Sequence, residues 1–383
     1  MEILRKKELQ ALRSKIKNFP VVAILGPRQC GKTTLARQYV RQERKETHFF
    51  DLEDPEHLSR LKNPKLALEN LKGTIVIDEI QRYPNLFPIL RVLVDRFHSQ
   101  KYLILGSASR NLISQGSETL AGRIGFMELG GFTLETTPEE QKKLWVRGGF
   151  PRSFLASSEK KSYEWRREFI TTFLERDLPN LGIQIPSATL RKFWMMLSHY
   201  HGQLLNASEL GRSFGVADTT IKRYLDILTG TFMIRSLQPW YYNTKKRLVK
   251  TPKIYFRDSG IFHALLTIPE ERELSLHPKL GSSWEGFALE QVIRRLNLRE
   301  EESFFWAIHA GGELDLLFQK KGKLWGAEIK YKEAPVVTPS MQLAQKELSL
   351  EHLWVVHPGQ ETYPLERKIT AISLRELSSS FFR

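Results

Sequence analysis

The chain has 383 residues, 41% of them apolar, which is enough for two to four domains with buried cores. Its net charge of +15 favours a polyanionic partner, either nucleic acid or an anionic membrane face, although a basic but otherwise ordinary surface would give the same charge. The one cysteine, Cys30, excludes an internal disulfide and fits a reducing compartment.

The sequence shows no sign of a targeting or membrane segment. Residues 1–8 lack the apolar core of a signal peptide, and no stretch approaches the ~20 apolar residues that span a bilayer. We therefore expect a soluble, cytoplasmic protein that has no membrane partner.

A glycine-rich loop near the N-terminus lies between a predicted strand, residues 21–25, and a predicted helix, residues 35–40. It fits the pattern G-x-x-x-x-G-K-[S/T], whose backbone N–H groups and helix N-terminus bind phosphates in this context. We predict an Mg-ATP site in which Lys32 reaches the β- and γ-phosphates and the Thr33 hydroxyl binds Mg²⁺. A chance glycine turn is the alternative. The predicted nucleotide-binding residues of this loop are Gly26, Pro27, Arg28, Gln29, Cys30, Gly31, Lys32, Thr33 and Thr34.

Short apolar strands alternate with helical segments up to about residue 137, which predicts a parallel sheet with crossover helices. The apolar run 74–77 ends at Asp78 and Glu79, and ligands bind at the carboxyl ends of strands in open α/β sheets. We expect Asp78 to hold the Mg²⁺ shell and Glu79 to polarise the attacking water. The alternative is an acidic pair that caps the next helix.

Two further features downstream fit phosphoryl transfer. Ser107 and Ser109 follow the next predicted strand and offer a hydroxyl to the γ-phosphate. Arg123, in Leu-Ala-Gly-Arg-Ile, is a candidate arginine finger that acts on a neighbouring subunit, where such a residue raises the rate by roughly 10³–10⁵. A surface arginine that follows a glycine turn is the alternative for Arg123.

These motifs, together with Gly148-Gly149-Phe150-Pro151, recur in the same order in a known family. The chain resembles uncharacterised prokaryotic ATPases of the AAA+ superfamily that carry a C-terminal domain of unknown function, and the resemblance covers nearly the whole chain. It implies a five-stranded ATPase core and assembly into a ring, with a hexamer among the possible sizes, or into another nucleotide-linked homo-oligomer. It also implies that Gly149 to Pro151 lie near the nucleotide base.

The middle of the chain contains two regions with different sequence patterns. Residues 138–200 are predicted to be helical, as a lid over the nucleotide or as a plain connecting bundle. Residues 205–228 then have the pattern of a helix-turn-helix whose second helix opens at Asp218. The N-terminal end of that helix is where such motifs contact base edges or phosphates. It carries the predicted DNA contacts Thr219, Thr220, Lys222 and Arg223.

A predicted β-hairpin, residues 233–242 and 247–256, would place a basic wing beside this motif. Lys245, Lys246 and Arg247 lie at its tip as further predicted DNA contacts, and its second strand adds Lys250, Lys253 and Arg257. A winged helix used only for packing or protein contacts is the alternative.

The C-terminal region carries the layout Glu…Asp…Glu-x-Lys. Glu285 lies on a predicted helix, Asp315 on one predicted strand, and Glu328 and Lys330 on the next, where alternation puts both on the same face. These residues would hold a second Mg²⁺ or Mn²⁺ and activate water for phosphodiester attack. The spacing resembles restriction-endonuclease-like folds and archaeal Holliday-junction resolvases, although Glu313-Leu314 replaces the usual proline. The alternatives are a solvated strand face and a domain that binds DNA without cleaving it.

Together these features predict an α/β protein with four domains: a P-loop AAA+ core with a parallel sheet (1–137), a helical lid (138–200), a winged helix-turn-helix (201–258) and a restriction-endonuclease-like domain (259–383). The favoured function is a Mg²⁺-dependent ATPase that binds duplex or branched DNA and couples hydrolysis to translocation or remodelling. Two other functions stay open, namely a nucleotide-gated signalling switch and an ATP-coupled, metal-dependent nuclease.

Overall fold

The computed structural model of the chain describes residues 2–43, 46–107, 118–240, 251–308 and 311–377. The chain divides into two compact units. The N-terminal unit comprises Met1–Phe132, Asn180–Ile183 and Ile227–Met233, and the C-terminal unit comprises Thr133–Pro179, Gln184–Asp226 and Ile234–Arg383. The boundaries of the four predicted domains stay predictions. None of the described helices is long and apolar enough to cross a membrane.

The N-terminal unit is built on a parallel sheet of five described strands in the order β2-β3-β4-β1-β5. The strands are β1 (Val21–Leu25), β2 (Thr47–Asp51), β3 (Thr74–Asp78), β4 (Lys101–Gly106) and β5 (Ile124–Glu128). β1 and β3 are buried along their whole length, which explains why they are continuous apolar runs without alternation. The parallel sheet predicted from the sequence is thereby confirmed.

Five helices in the described part of this unit connect or flank the strands. They are α1 (Lys6–Asn18), α2 (Lys32–Glu43), α3 (Pro55–Arg60), α4 (Pro64–Glu69) and α5 (Leu86–Arg96). α3 and α4 begin where a side-chain oxygen of Asp54 or Asn63 accepts a backbone N–H and a proline follows, the usual chemistry of a helix start. The core between helices and sheet includes Ile75, Leu90 and Ile104, each at most 1% exposed.

The remaining described helices lie between residues 141 and 347. They are α6 (Gln141–Arg147), α7 (Pro151–Phe154), α8 (Glu159–Thr172), α9 (Leu178–Asn180), α10 (Ser187–His199), α11 (Ala207–Phe214), α12 (Asp218–Gly230), α13 (Ser259–Leu265), α14 (Glu271–Ser275), α15 (Leu280–Leu296) and α16 (Pro339–Glu347). The rings of Trp165 and Phe169 on α8 and of Phe173, the residue that follows α8, stack in sequence with centroids 5.3 and 6.1 Å apart.

The C-terminal unit contains a mixed sheet of nine described strands in the order β13-β14-β12-β11-β10-β9-β7-β8-β6. The strands are β6 (Gln203–Leu204), β7 (Ile234–Pro239), β8 (Lys253–Phe256), β9 (Ser303–Ile308), β10 (Gly312–Lys320), β11 (Lys323–Ile329), β12 (His352–His357), β13 (Tyr363–Glu366) and β14 (Ile369–Ser373). β7 and β8 pair antiparallel, and β7 also pairs with β9, so the predicted hairpin strands continue the C-terminal sheet.

Candidate nucleotide site and carboxylate cluster

The glycine-rich loop follows β1 and leads into α2, as the motif requires. A Cβ on Gly26 would lie 1.9 Å from the carbonyl oxygen of Leu129, so only glycine fits there. Gln29 and Gly31 have φ values of 61° and 99°, a left-handed conformation that turns the chain back over the end of the strand. The loop therefore has the shape that presents backbone N–H groups to an anion.

Three side chains converge at the start of α2. Lys32 is buried, and its Nζ donates hydrogen bonds to the carbonyl oxygens of Gly26 (3.0 Å) and Pro27 (2.8 Å). The Thr33 hydroxyl donates to Asp78 Oδ2 at 2.6 Å, and burial raises the pKa of Asp78. Thr34 is exposed in the first turn of α2.

Glu79 lies just past β3 in a left-handed conformation, with φ of 55°. Its Oε2 accepts hydrogen bonds from the amide of Gln81 and, at 3.2 Å, from the hydroxyl of Ser107. Gln81 Nε2 also donates to Ser107 Oγ at 2.9 Å. The structure thus brings together Glu79 and Ser107, which were predicted separately, and adds Gln81, which the sequence analysis missed although it lies only two residues beyond Glu79.

Two arginines contact the residues of this site. Arg28 NH2 lies 2.5 Å from Glu53 Oε1 and 4.0 Å from Glu79 Oε2. On the other side, Arg5 is buried and donates to the carbonyl oxygens of Cys30 (2.8 Å) and Gly130 (2.9 Å). Arg5 therefore fixes the backbone of the loop, and no sequence motif marks it.

The residues present fit Mg-ATP. Thr33 and Asp78 supply adjacent oxygen atoms of the kind that Mg²⁺ prefers, and Lys32 holds a positive charge inside the loop. When bound, Mg-ATP supplies the phosphoryl group that is transferred and the cation that offsets its charge. Glu79, the carboxylate beside this position, would take a proton from water at Oε2, and Gln81 and Ser107 orient that atom.

Arg123 lies on the surface of the N-terminal unit. Its guanidinium makes a bidentate pair with Asp95, with Nε to Oδ1 at 2.6 Å and NH2 to Oδ2 at 3.0 Å. The hydrogen bond from Arg123 lowers the pKa of Asp95. Its role as an arginine finger stays a prediction.

The region predicted as a helix-turn-helix contains α11, a turn at Gly215 with φ of 67°, and α12. Phe193 of α10 packs edge-on against the rings of Phe214 and Tyr224, with centroids 5.8 and 5.3 Å away. The predicted DNA contacts Thr219, Lys222 and Arg223 are exposed, Thr220 is half-buried, and Lys222 pairs with Asp218 at 3.0 Å.

The predicted basic wing needs correction at two of its positions. Lys253 is only 4% exposed, and the Arg257 side chain binds the buried carboxylate of Glu290 at 3.0 Å. Because β8 is an inner strand of the sheet, both side chains face carboxylates within the unit instead of a duplex. The other predicted wing residues lie outside the described residues; they are Lys245, Lys246, Arg247 and Lys250. Ser109 also lies outside the described residues.

The structure brings the four predicted residues of the C-terminal motif together. Asp315 on β10 accepts the backbone N–H of Ile329 at 2.8 Å, and Lys330 donates to Glu328 at 2.6 Å at the end of β11. Lys253 lies 3.7 Å from both Asp315 and Glu285. Among the described residues, however, no group of three or more His, Cys, Asp or Glu side chains is arranged to hold a metal ion.

The Gly-Gly-Phe-Pro turn is tied to Asp258, a partner that the sequence analysis missed. Asp258 Oδ2 accepts the N–H of Gly149 at 2.7 Å, and its Oδ1 caps α13 by accepting the N–H of Ile261 at 2.9 Å. A Cβ on Gly148 would lie 2.1 Å from Asp258 Oδ1. Pro151 begins α7, and its predicted place near the nucleotide base stays a prediction.

Comparison with known proteins identifies the N-terminal unit and the family. A family model described as an AAA domain matches residues 18–137, and models described as domains of unknown function, DUF8612 and DUF4143, match residues 138–272 and 280–377. The Uncharacterized protein Rv2008c of Mycobacterium tuberculosis is 46% identical over 374 residues, which cover 97% of this chain and 84% of the relative. The Uncharacterized protein Mb2031c of Mycobacterium bovis matches to the same extent. The chain belongs to the same family as these two mycobacterial proteins.

Two solved structures are similar to part of the chain. The Walker-type ATPase PabY2304 of Pyrococcus abyssi is 14% identical, with 69% of this chain and 96% of that chain covered and a TM-score of 0.48. The RuvB Holliday junction branch migration motor of Thermotoga maritima is 18% identical, with 61% and 90% covered and a TM-score of 0.31.

The AAA model spans the loop, Asp78 and Glu79, which the structure brings to one edge of the parallel sheet. The N-terminal unit is therefore an AAA-type P-loop ATPase domain. The C-terminal unit matches only the two models of unknown function, so its role is a matter for proposal.

Proposed function

We propose that this AAA-type ATPase binds duplex or branched DNA and couples ATP hydrolysis to translocation along the DNA or to its remodelling. The observation that carries this proposal is the two-sided character of α12. Ile221, Tyr224 and Leu225 are at most 8% exposed, whereas Lys222 and Arg223 are exposed in the first turns of the helix. This end of the second helix is the part that contacts DNA in helix-turn-helix proteins.

The charge of the chain supports the same proposal. A net charge of +15 supplies the long-range attraction to a polyanion. The segment 241–250, whose sequence holds Lys245, Lys246 and Arg247, joins β7 to β8 in the same unit as the N-terminal end of α12. We include these three residues in the proposed DNA surface on the basis of the sequence.

The order of elements in the C-terminal region supports a restriction-endonuclease-like fold. After α15, the strands β9, β10 and β11 form an antiparallel meander, and α16 then leads to β12, which pairs parallel with β11. In the proposed function this region binds DNA.

Self-association is part of the proposal. In an assembled state Arg123 would leave Asp95 and stabilise the charge of the phosphoryl group in a neighbouring subunit. The side chains of Arg123 and Asp95 are 38% and 47% exposed. Breaking their ion pair should therefore cost little free energy, because a surface ion pair contributes little stability.

The direct test of DNA binding compares two pairs of lysine and arginine changes. Lys222→Gln with Arg223→Gln removes two charges from α12, and Lys160→Gln with Lys161→Gln removes two exposed charges from α8 in the same unit. Binding to one labelled duplex is followed by fluorescence anisotropy across a salt series. Each lost phosphate contact should reduce the log–log salt slope by ~0.9 on B-DNA.

We expect the α12 variant to bind more weakly with a flatter salt slope, and the α8 variant to keep the wild-type slope. If both variants lose affinity equally, only the overall charge matters and α12 is not the contact. The proposed function would be refuted if the wild-type protein failed to bind duplex, single-stranded and four-way-junction DNA.

A further inference from the structure

The carboxylates of the C-terminal cluster surround a lysine that comes from a different part of the sequence. Lys253, on β8, is 4% exposed, and its Nζ lies 3.7 Å from Glu285 Oε1 and 3.7 Å from Asp315 Oδ1. It also makes a close ion pair with Glu313. The hydroxyl of Tyr255, two residues further along β8, donates to Glu285 Oε1 at 2.6 Å. The ammonium thus lies between α15 and β10, among the carboxylates that the sequence motif assigns to a metal.

Two ammonium groups already lie among the carboxylates of this cluster. Four carboxyl groups, of Glu285, Glu313, Asp315 and Glu328, meet two ammonium groups, those of Lys253 and Lys330. The two lysines therefore already offset part of the negative charge that would attract a divalent cation.

Two carboxylate oxygens of the cluster already have hydrogen-bond partners. Asp315 Oδ2 accepts the backbone N–H of Ile329, and Glu328 Oε1 accepts a hydrogen bond from Lys330. Glu328 Oε2 is buried and has no hydrogen-bond partner among the described residues. A divalent cation would need several of these oxygens at 2.0–2.6 Å from one point.

We propose that Lys253 is the resident cation of this cluster and excludes a divalent metal from it, so that the C-terminal unit does not cleave phosphodiesters by a metal-dependent route. A divalent metal site of the restriction-endonuclease-like kind does not fit the residues as they are placed, because the Lys253 ammonium already lies 3.7 Å from Glu285 and from Asp315. Removing that ammonium while keeping the carboxylates should open a site that takes one Mn²⁺. This inference does not depend on whether the protein binds DNA.

The test uses Mn²⁺ as the probe, with the full chain free of nucleotide, and counts bound ions by electron paramagnetic resonance. Lys253→Met removes the ammonium and keeps the apolar stem of the side chain. Lys330→Met is the matched control, since it removes the other lysine of the cluster, which is 40% exposed and lies at its rim. Asp315→Asn, alone and combined with Lys253→Met, shows whether any bound ion is at the cluster.

We expect Lys253→Met to bind one more Mn²⁺ per chain than the wild type, the added Asp315→Asn to remove that ion, and Lys330→Met to match the wild type. Wild-type Mn²⁺ binding that Asp315→Asn abolishes would overturn the proposal, and so would a folded Lys253→Met protein that gains no ion. If Lys253→Met does not fold, the comparison of wild type with Asp315→Asn decides the question, because a resident lysine predicts that the two bind Mn²⁺ equally.

Discussion

Glu290 provides a quantitative test of how the C-terminal unit is held together. This carboxylate of α15 is 4% exposed and binds Arg235 through two hydrogen bonds of 2.8 and 3.0 Å and Arg257 through one of 3.0 Å. Burial alone would raise the pKa of Glu290, but the two guanidinium groups outweigh it and lower the pKa from 4.5 to about 2. At about 1.4 kcal/mol for each pKa unit, that difference corresponds to roughly 3 kcal/mol.

The sign of this contribution follows from the direction of the shift. A carboxyl whose pKa is lowered on folding stabilises the folded chain above its unfolded pKa of 4.5, and the stabilisation is lost as the pH falls through about 2. Glu290→Gln should therefore cost roughly 3 kcal/mol at neutral pH, and somewhat more if the two arginines are left buried without a counter-charge. Its cost should shrink by about half near pH 3.

The measurement is urea unfolding followed by tryptophan fluorescence. All eight tryptophans of the chain lie in the C-terminal unit, so the signal reports that unit alone. Glu301→Gln is the matched control, because it removes the same charge from an exposed side chain in the same unit. A Glu290→Gln protein as stable as Glu301→Gln at neutral pH would refute the reasoning.

Three further predictions use the same structure. Burial and the charge of Asp315 raise the pKa of Glu328 from 4.5 to about 8, so its contribution to stability is present below pH 4.5 and lost as the pH rises through about 8. Glu328→Gln should therefore lose less stability than wild type between pH 4.5 and about pH 8 in the same urea assay. Glu79→Gln should lower ATP turnover by roughly 10²–10⁴-fold, and Gln81→Ala should lower it less, because Gln81 only orients Glu79. Equal nucleotide affinity in both variants would show that the loss of turnover does not come from weaker nucleotide binding. If Arg123 acts in trans, mixing Lys32→Ala with Arg123→Ala chains should restore some turnover, whereas turnover per chain that stays flat on dilution would argue for a lone subunit.

The sequence predicted most of the ATP site because its chemistry is local. The loop, Thr33 and Asp78 lie in short motifs at the ends of apolar strands, and strand order in a parallel sheet brings such ends together. Gln81 and Arg5 were missed because a hydrogen bond to Glu79 or to the carbonyl of Cys30 depends on side-chain direction, which no spacing rule fixes.

The C-terminal cluster shows the same limit more clearly. The positions of Asp315, Glu328 and Lys330 followed from two neighbouring predicted strands, and that of Glu285 from the predicted helix before them. The place of Lys253 did not, because a basic residue on a predicted hairpin is typical of a solvated wing. β8 lies between β7 and β6, and the pairing of β7 with β9 joins these strands to the sheet that carries Asp315 and Glu328. Long-range strand pairing of this kind is not visible in local periodicity.

The central claim, that ATP hydrolysis is coupled to DNA, is tested most directly by ATP turnover measured with duplex, single-stranded and four-way-junction DNA added in turn. We expect duplex or junction DNA to raise wild-type turnover, and the variant with both Lys222→Gln and Arg223→Gln to keep its basal rate but lose the stimulation. Glu79→Gln should stay inactive throughout. Wild-type turnover that is the same with and without each DNA would contradict coupling of hydrolysis to DNA.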